Sequence, residues 1–285
     1  MIADRLQLQR REFKYIIPED LALEIRKFVE AYLELDEYGA TLENLSYPVH
    51  SLYLDSDILT TYWDTINGNK NRYKLRLRFY ENRPNAPIYF EIKRRMNDAM
   101  LKQRGPVKRE KVAAILGGQF PSPDDMASSE VKHLGAVQNF VLLMNDISAT
   151  VKAHVAYNRE AWISSSNNAI RVTMDRSVRC APVSEARFVA DMVNPVYPFG
   201  NHVVLELKFT GRFPEWFMDM VRAFGLVQCS AAKYADGIAA GGESRFTLHE
   251  AGRSEDSVAQ GSFIERKKFL EKYQTSESLV TTKRT

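Results

Sequence analysis

The sequence predicts an α+β fold in which an antiparallel sheet wraps a polar, cationic interior and helices cover it from outside. Three observations predict it. Residues 72–80, RYKLRLRFY, alternate Arg72, Lys74, Arg76 and Arg78 with Tyr73, Leu75, Leu77 and Phe79. Neighbouring side chains of a strand point to opposite faces, so one face becomes a row of cations and the other is apolar. The same alternation then recurs along the chain. Glu91 and Lys93 oppose Phe90 and Ile92, while Glu206 and Lys208 oppose Val203, Leu205, Leu207 and Phe209. Arg171, Thr173 and Asp175 oppose Ile170, Val172 and Met174; Tyr157 shares a face with Arg159; Glu12 and Lys14 alternate with Phe13 and Tyr15. Finally, helical segments with apolar stripes are interspersed with these strands, enough to cover the apolar faces.

Taken in order, REFKYII reads as a short strand, followed by PEDLALEIRKFVEAYL as an amphipathic helix. Pro18 suits its first turn, and Leu21, Ile25, Phe28, Val29 and Tyr32 recur at helical spacing. A strand from Val49 to Leu54 and a helix from Ile58 to Ile66 follow, closed by the turn signal Asn67-Gly68-Asn69. The cationic strand comes next, and the loop NRPNAP joins it to IYFEIKRR as a hairpin, with a third strand near GPVKRE. Residues 109–148 read as mainly helical, with a short helix ending near Leu116, the break GGQFPSPDD, and a longer helix from Glu130 to Met144. Strands return in VKAHVAYNREAWIS, NAIRVTMDRSVRCA and NHVVLELKFT. Pro214 starts a further helix that stops near Gly225, with Trp216, Phe217, Met220 and Phe224 on its core face. One unit over 1–241 is expected, with 242–285 as a tail, partly disordered or helical at FIERKKFLEKY, because apolar content thins there.

Charge is local. The 285 residues carry a net charge of +3, yet Lys70 to Lys111 hold 14 basic and 4 acidic residues, so the rest of the chain is net acidic. Such a block suggests a polyanion bound at one place, against the plainer reading of a solvated charged face. No apolar run is long enough to span a bilayer, the N-terminus lacks a secretory apolar region, and Cys180 and Cys229 make neither a disulfide framework nor a metal quartet. A cytoplasmic setting is the expectation.

Arginines two apart on a strand repel one another unless they share an anion. If the polar faces curl together, they line a cavity with cations and a few acids, which suits a chain of phosphates. Guanidinium and ammonium groups neutralise phosphate oxygens, and a carboxylate among them can hold a divalent metal. Phosphoryl transfer is the matching chemistry, and it needs no covalent nucleophile from the protein.

Glu12-Phe13-Lys14, HSLYLD (His50 to Asp55), RYKLRLRFY, FEIKRR, YNR (Tyr157 to Arg159), Arg171, LELKF (Leu205 to Phe209) and AAKY (ending at Tyr234) occur in one order from about Arg10 to Ile238. Together they resemble the VTC domain, the catalytic part of the vacuolar transporter chaperone polyphosphate polymerase, in the triphosphate tunnel metalloenzyme (CYTH-like) superfamily. The resemblance implies an antiparallel eight-stranded tunnel that binds ATP, inorganic polyphosphate and a divalent ion, Mn2+ or Mg2+. It implies catalytic, phosphate-binding cations at Lys14, Arg76, Arg78, Lys93, Arg159, Arg171 and Lys233, with further phosphate contacts at Lys74, Lys108, Tyr157 and Lys208. Glu206 would be the metal ligand and Glu12 a second candidate. Hydrolases and cyclases of the superfamily usually open with ExExK, and Arg10 stands at the first Glu position here, which fits the relaxed VTC version. The SPX domain and membrane anchor of eukaryotic members are not seen, so a stand-alone prokaryotic form is expected.

Other residues are given structural readings. Asp55 and Asp57 read as caps of the next helix. His50, His154 and both cysteines read as ordinary residues. Lys70, Arg94, Arg95, Arg104 and Lys111 read as surface charge, whereas Lys102 and Arg109 fit either face. No nucleic acid is expected, because Tyr73 and Phe79 lie on the face opposite the arginines. Polyphosphate polymerase, tripolyphosphatase or nucleoside triphosphatase, and a non-catalytic polyphosphate-binding module are the functional readings.

Overall fold

In the computed structural model, which describes residues 10–80, 83–97, 99–165 and 169–247, the alternating segments form strands and the periodic segments pack on their apolar faces. The chain runs β1 (Arg10–Ile17), α1 (Glu19–Val29), β2 (Glu34–Leu35), β3 (Tyr47–Asp55), α2 (Thr60–Ile66), β4 (Asn71–Phe79), β5 (Ile88–Met96), β6 (Ala99–Val107), α3 (Val112–Leu116) and α4 (Val131–Asp146). It continues β7 (Thr150–Ile163), β8 (Ile170–Pro182), β9 (Val203–Thr210), α5 (Glu215–Ala223) and α6 (Lys233–Gly241). Pro18 and Pro214 sit at the caps just before α1 and α5. Their fixed φ and missing N–H suit that boundary. The sequence reading starts β6 several residues late. Asn97 takes a φ of 53°, and the tight turn it makes pairs Met96 with Ala99 directly. Helix α6 escapes the sequence reading because KYADGIAAG carries two glycines, poor helix formers.

All strands belong to one antiparallel sheet ordered β1-β9-β8-β7-β3-β4-β5-β6, with β2 paired to β7. The expected closed barrel is corrected here. Among the described residues no ladder joins the edge strands β1 and β6, and Pro106 on β6 has no N–H to offer one. Side chains make the approach instead. Lys93 of β5 reaches Glu12 of β1 at 3.2 Å, so the sheet curls until its two ends nearly meet.

The curl places the cationic faces inside and the apolar faces outside. Leu75, Leu77 and Phe79 of β4 pack with Phe90, Ile92 and the α4 residues Val137, Phe140, Val141 and Met144. Each such fully buried side chain is worth about 1.5–3 kcal/mol relative to exposure. Gly105 allows the close seat of α4, since a Cβ there would lie 2.4 Å from the His133 carbonyl oxygen. A second cluster packs α1 and α5 on β1, β8 and β9, with Phe217 and Met220 buried and Trp216 and Phe224 partly buried. A third brings α2 and α6 against Tyr53, Tyr157, Val178 and Cys180. There Gly237 is required, because a Cβ would come 2.6 Å from the Cys180 sulfur.

The structural readings of Asp55 and the histidines hold in detail. Asp55 is fully buried, accepts the Thr61 and Tyr62 amides at the start of α2 at 2.9 and 3.0 Å, and accepts the Tyr234 hydroxyl at 2.7 Å. Asp57 instead pairs with Lys152. His50 and His154 are buried on the apolar face, 3.1 Å apart, and burial with the Arg179 charge nearby pushes both down to about 4. Residues 248–285, including the stretch FIERKKFLEKY, lie outside the described residues.

Candidate functional site on the concave sheet face

Register decides which side chains meet on the concave face. Arg76 stands opposite Glu91 and Lys74 opposite Lys93 across β4 and β5; Lys14 stands opposite Glu206 across β1 and β9; Arg159 stands opposite Asp175 across β7 and β8. Two buried acidic centres result.

The first centre is Glu206 with Asp175. Lys233, at the start of α6, bridges them, with Nζ 2.7 Å from Asp175 Oδ2 and 2.9 Å from Glu206 Oε1. Arg159 forks onto Asp175 with two hydrogen bonds of 2.7 Å and reaches Glu206 Oε2 at 3.5 Å. Lys208 pairs with Glu206, and Lys14 lies 3.6 Å from Glu206 and 3.2 Å from Glu12. Lys14 also donates to the Ala231 carbonyl at 2.8 Å, which ties β1 to the segment leading into α6. Glu12 takes Lys93 on its other oxygen at 3.2 Å.

The second centre is Glu91, fully buried. Arg76 holds it through Nε at 2.8 Å and Nη2 at 2.7 Å, Lys102 lies at 2.9 Å, Arg104 at 3.3 Å and Arg78 at 3.8 Å. Arg76 also donates to the Tyr53 hydroxyl and Arg78 to those of Ser51 and Tyr157. Tyr157 joins the two centres, because its ring lies 5.0 Å from both the Arg159 guanidinium and the Lys233 ammonium.

The charges are mutually enforced. Burial pushes Glu206 and Glu91 upward, but their cations outweigh it: Lys208, Lys233 and Lys14 hold Glu206, and Arg76 and Arg78 hold Glu91, well below the usual carboxylate range. Glu12 is lowered in the same way by Lys93 and Lys14 against burial, and Asp175 by Arg159 and Lys233. Burial lowers Lys208 to about 8 despite Glu206. Lys74 differs, since burial and the neighbouring Lys93 and Lys14 bring it down to about 7. Its ammonium lies 5.7 Å from the Tyr234 ring centroid.

The structure thus brings together Lys14, Lys74, Arg76, Arg78, Lys93, Tyr157, Arg159, Lys208, Lys233, Glu12 and Glu206. Arg171 lies toward one end of the face, held 3.1 Å from Asp36 and 3.3 Å from the Tyr47 hydroxyl. Lys108 stands apart from this group. The strand ends at Val107, so Lys108 is exposed beyond it and donates to the Asp124 carbonyl at 2.7 Å. Arg104 and Arg95 are corrections. The β5–β6 register sets Arg104 opposite Glu91, and Arg95 lies opposite Arg72 on the concave parity. Glu91, Asp175, Tyr53, Lys102 and Arg104 complete the site without having been singled out. For Glu91 and Asp175 the alternation already gave the face, and the missing signal was the cross-strand partner.

Among the described residues no group of three or more His, Cys, Asp or Glu side chains is arranged to hold a metal. Glu206 and Glu12 nonetheless supply ionised hard-oxygen donors on neighbouring strands, and both contact Lys14. Small divalent cations commonly take one or two carboxylates and complete their shell with water and substrate phosphate. The donor chemistry fits such an ion.

Fold and face together define an α+β protein whose curled antiparallel sheet concentrates cations around buried carboxylates. The chain belongs to the VTC domain family, whose model matches residues 9–241. Among solved structures, a candidate adenylate cyclase from Bacillus halodurans superposes with a TM-score of 0.44 at 13% identity, covering 79% of this chain and 95% of that one. Another candidate adenylate cyclase, from Vibrio parahaemolyticus, gives 0.39 at 12% identity over 80% of this chain and 97% of that one. A search of curated proteins finds no match. No helix among the described residues is long and apolar enough to cross a membrane.

Proposed function

We propose that the chain is an ATP-dependent polyphosphate polymerase, with residues 1–241 as its catalytic unit and the curled sheet as the tunnel through which the chain threads. The observation that carries this is the cationic surplus of one face. Lys14, Lys74, Arg76, Arg78, Lys93, Lys102, Arg104, Arg159, Lys208 and Lys233 face Glu12, Glu91, Asp175 and Glu206. Internal pairing leaves positive charge over, and a polyanion balances it.

In the reaction, an oxygen of the terminal phosphate of the growing chain attacks the γ-phosphorus of ATP. The bond from that phosphorus to the β–γ bridging oxygen breaks, ADP leaves with the electron pair, and the polymer gains one phosphate. Arg76 and Arg78 are preset by Glu91, Tyr53, Ser51 and Tyr157 to offer their remaining N–H groups to phosphate oxygens. Arg159, Lys14 and Lys233 are preset in the same way by Asp175 and Glu206. This arrangement stabilises charge without reorganising in the transition state. A divalent ion of the Mg2+ or Mn2+ kind would be held by Glu206, with Glu12 as second donor, and when bound would neutralise charge on the phosphate oxygens. Incubation of the protein with ATP and Mn2+, followed by separation of products, tests the proposal. Long polyphosphate supports it. Orthophosphate as the sole product makes the protein a triphosphatase, and tight polyphosphate binding without turnover makes it a binding module.

Lys74 sets a pH dependence. Its pKa is depressed to about 7, so its charge is present below that pH and lost above it. A bound anion favours the charged form, so tripolyphosphate affinity is expected to fall several-fold from pH 6 to pH 7.5, with proton uptake on binding at and above neutrality, where the free ammonium has lost its proton. Lys74→Met should flatten that part of the profile in calorimetric titrations run in two buffers of different ionisation enthalpy. An unchanged slope in the variant would assign the effect elsewhere.

A further inference from the structure

The two ends of the concave face are chemically unlike. At one end, tyrosines arrive from four separate segments: Tyr38 after β2, Tyr47 at the start of β3, Tyr80 just past β4, and Tyr89 on β5. Their ring centroids form a chain, 5.8 Å from Tyr38 to Tyr47, 6.5 Å from Tyr47 to Tyr80 and 6.0 Å from Tyr80 to Tyr89. The Arg104 guanidinium lies 3.5 Å over the Tyr89 ring and 5.9 Å from that of Tyr80. These rings are not simply core. Tyr38 is 64% exposed, and Tyr47, Tyr80 and Tyr89 all keep partial access to solvent.

The rim adjoins the phosphate cations. Tyr89 is the register partner of Arg78, and Tyr47 is that of Arg159. The Tyr47 hydroxyl donates to Asp36 at 2.9 Å and accepts from Arg171 at 3.3 Å, which fixes its ring at the end of the face. At the other end, roughly 26 Å away along β4 at about 3.3 Å per residue, a pocket of about 520 Å³ is lined by Gly68, Lys70, Arg72, Arg95 and Asn97. Those residues include no aromatic ring.

We propose that the tyrosine rim of Tyr38, Tyr47, Tyr80 and Tyr89, with Arg104, is the nucleobase site, so that a nucleoside triphosphate enters base-outward at this end with its phosphates directed to Arg78 and Arg159. Aromatic rings and guanidinium planes receive bases by stacking, which tolerates any base because every base has a π-face. An inorganic triphosphate makes no such contact. The rim therefore gives the site its preference for a nucleotide donor over a bare phosphate chain, and it gives the groove a direction. The inference rests on the phosphate-site reading above.

Calorimetric affinities for ATP and for inorganic tripolyphosphate, both in EDTA to prevent turnover, test it on Tyr38→Ala, Tyr89→Ala and Tyr89→Phe. The two alanine variants are expected to lose about tenfold in ATP affinity, with tripolyphosphate affinity changed less than twofold. Tyr89→Phe should keep ATP affinity, because stacking needs the ring and not the hydroxyl. Tyr38→Ala guards against misfolding, since that side chain is mostly exposed. ATP affinity unchanged in both alanine variants, or falling in parallel with tripolyphosphate, overturns the base site while leaving the phosphate site in place. Failure of the wild-type protein to bind tripolyphosphate overturns the phosphate-site reading, and the base site with it.

Discussion

Glu206→Gln is expected to reduce turnover by about 10²–10³-fold while tripolyphosphate binds at least as tightly as it does to the wild-type protein. The two effects separate because Glu206 does two things. It holds Lys14, Lys208, Lys233 and Arg159 in place, and it carries the charge proposed to hold the divalent ion. Removing that charge raises the positive surplus of the wall, so anion binding does not suffer. The geometry of the cations relaxes and the carboxylate donor is gone, so the reaction does suffer. Stability should fall as well, by up to about 3–5 kcal/mol, because buried cations lose their partner. Tripolyphosphate at 100 times its Kd should return about 2.7 kcal/mol of this by binding the folded state alone. Steady-state rates, calorimetric binding and thermal melting with and without tripolyphosphate check all three. Turnover within about threefold of wild type would remove Glu206 from the reaction.

How much of this was legible in the sequence depends on distance along the chain. Arg76 and Arg78 were readable from nine residues, because strand alternation is local and the apolar stripe Leu75, Leu77 and Phe79 left them a single face. Glu91 was on a readable face, yet its four cations come from β4 and β6, so its role needed the hairpin registers. Those registers also decide Arg104, whose parity is set across the tight turn at Asn97, whereas Arg95 was readable locally, two residues past Lys93 on the same face of β5. Lys108, which the resemblance to the VTC domain named, stands just past the end of β6, where alternation no longer assigns a face. Lys233 enters from a glycine-containing helix with no clear helical signal, and the resemblance to the VTC domain named it where periodicity did not. The tyrosine rim lay beyond any local reading, because its four members are spread over more than fifty residues and meet only when the sheet curls. The unclosed edge between β1 and β6 lay beyond it too, since alternation fixes faces and says nothing about which strands are last.

Arg76→Met is expected to weaken tripolyphosphate binding by about 1.5–3 kcal/mol, the size of hydrogen bonds made by a charged group. On its own that result is ambiguous. Arg76 also neutralises Glu91, which is fully buried, so its loss destabilises the fold by up to about 3–5 kcal/mol. Lys102, Arg104 and Arg78 remain near Glu91 and place the true figure below that ceiling. The double variant Arg76→Met/Glu91→Gln resolves the ambiguity. It removes both charges at similar volume, leaves no carboxylate uncompensated, and should recover most of the stability lost in the single variant, a positive coupling that a double-mutant cycle reads directly. Binding should stay weak, because the guanidinium that would meet phosphate is still absent. Denaturant titration and calorimetry on the four proteins of the cycle give both quantities. Recovery of tripolyphosphate affinity together with stability would make Arg76 a scaffold for Glu91 and would move the phosphate contact to Arg78, Arg159 and Lys233.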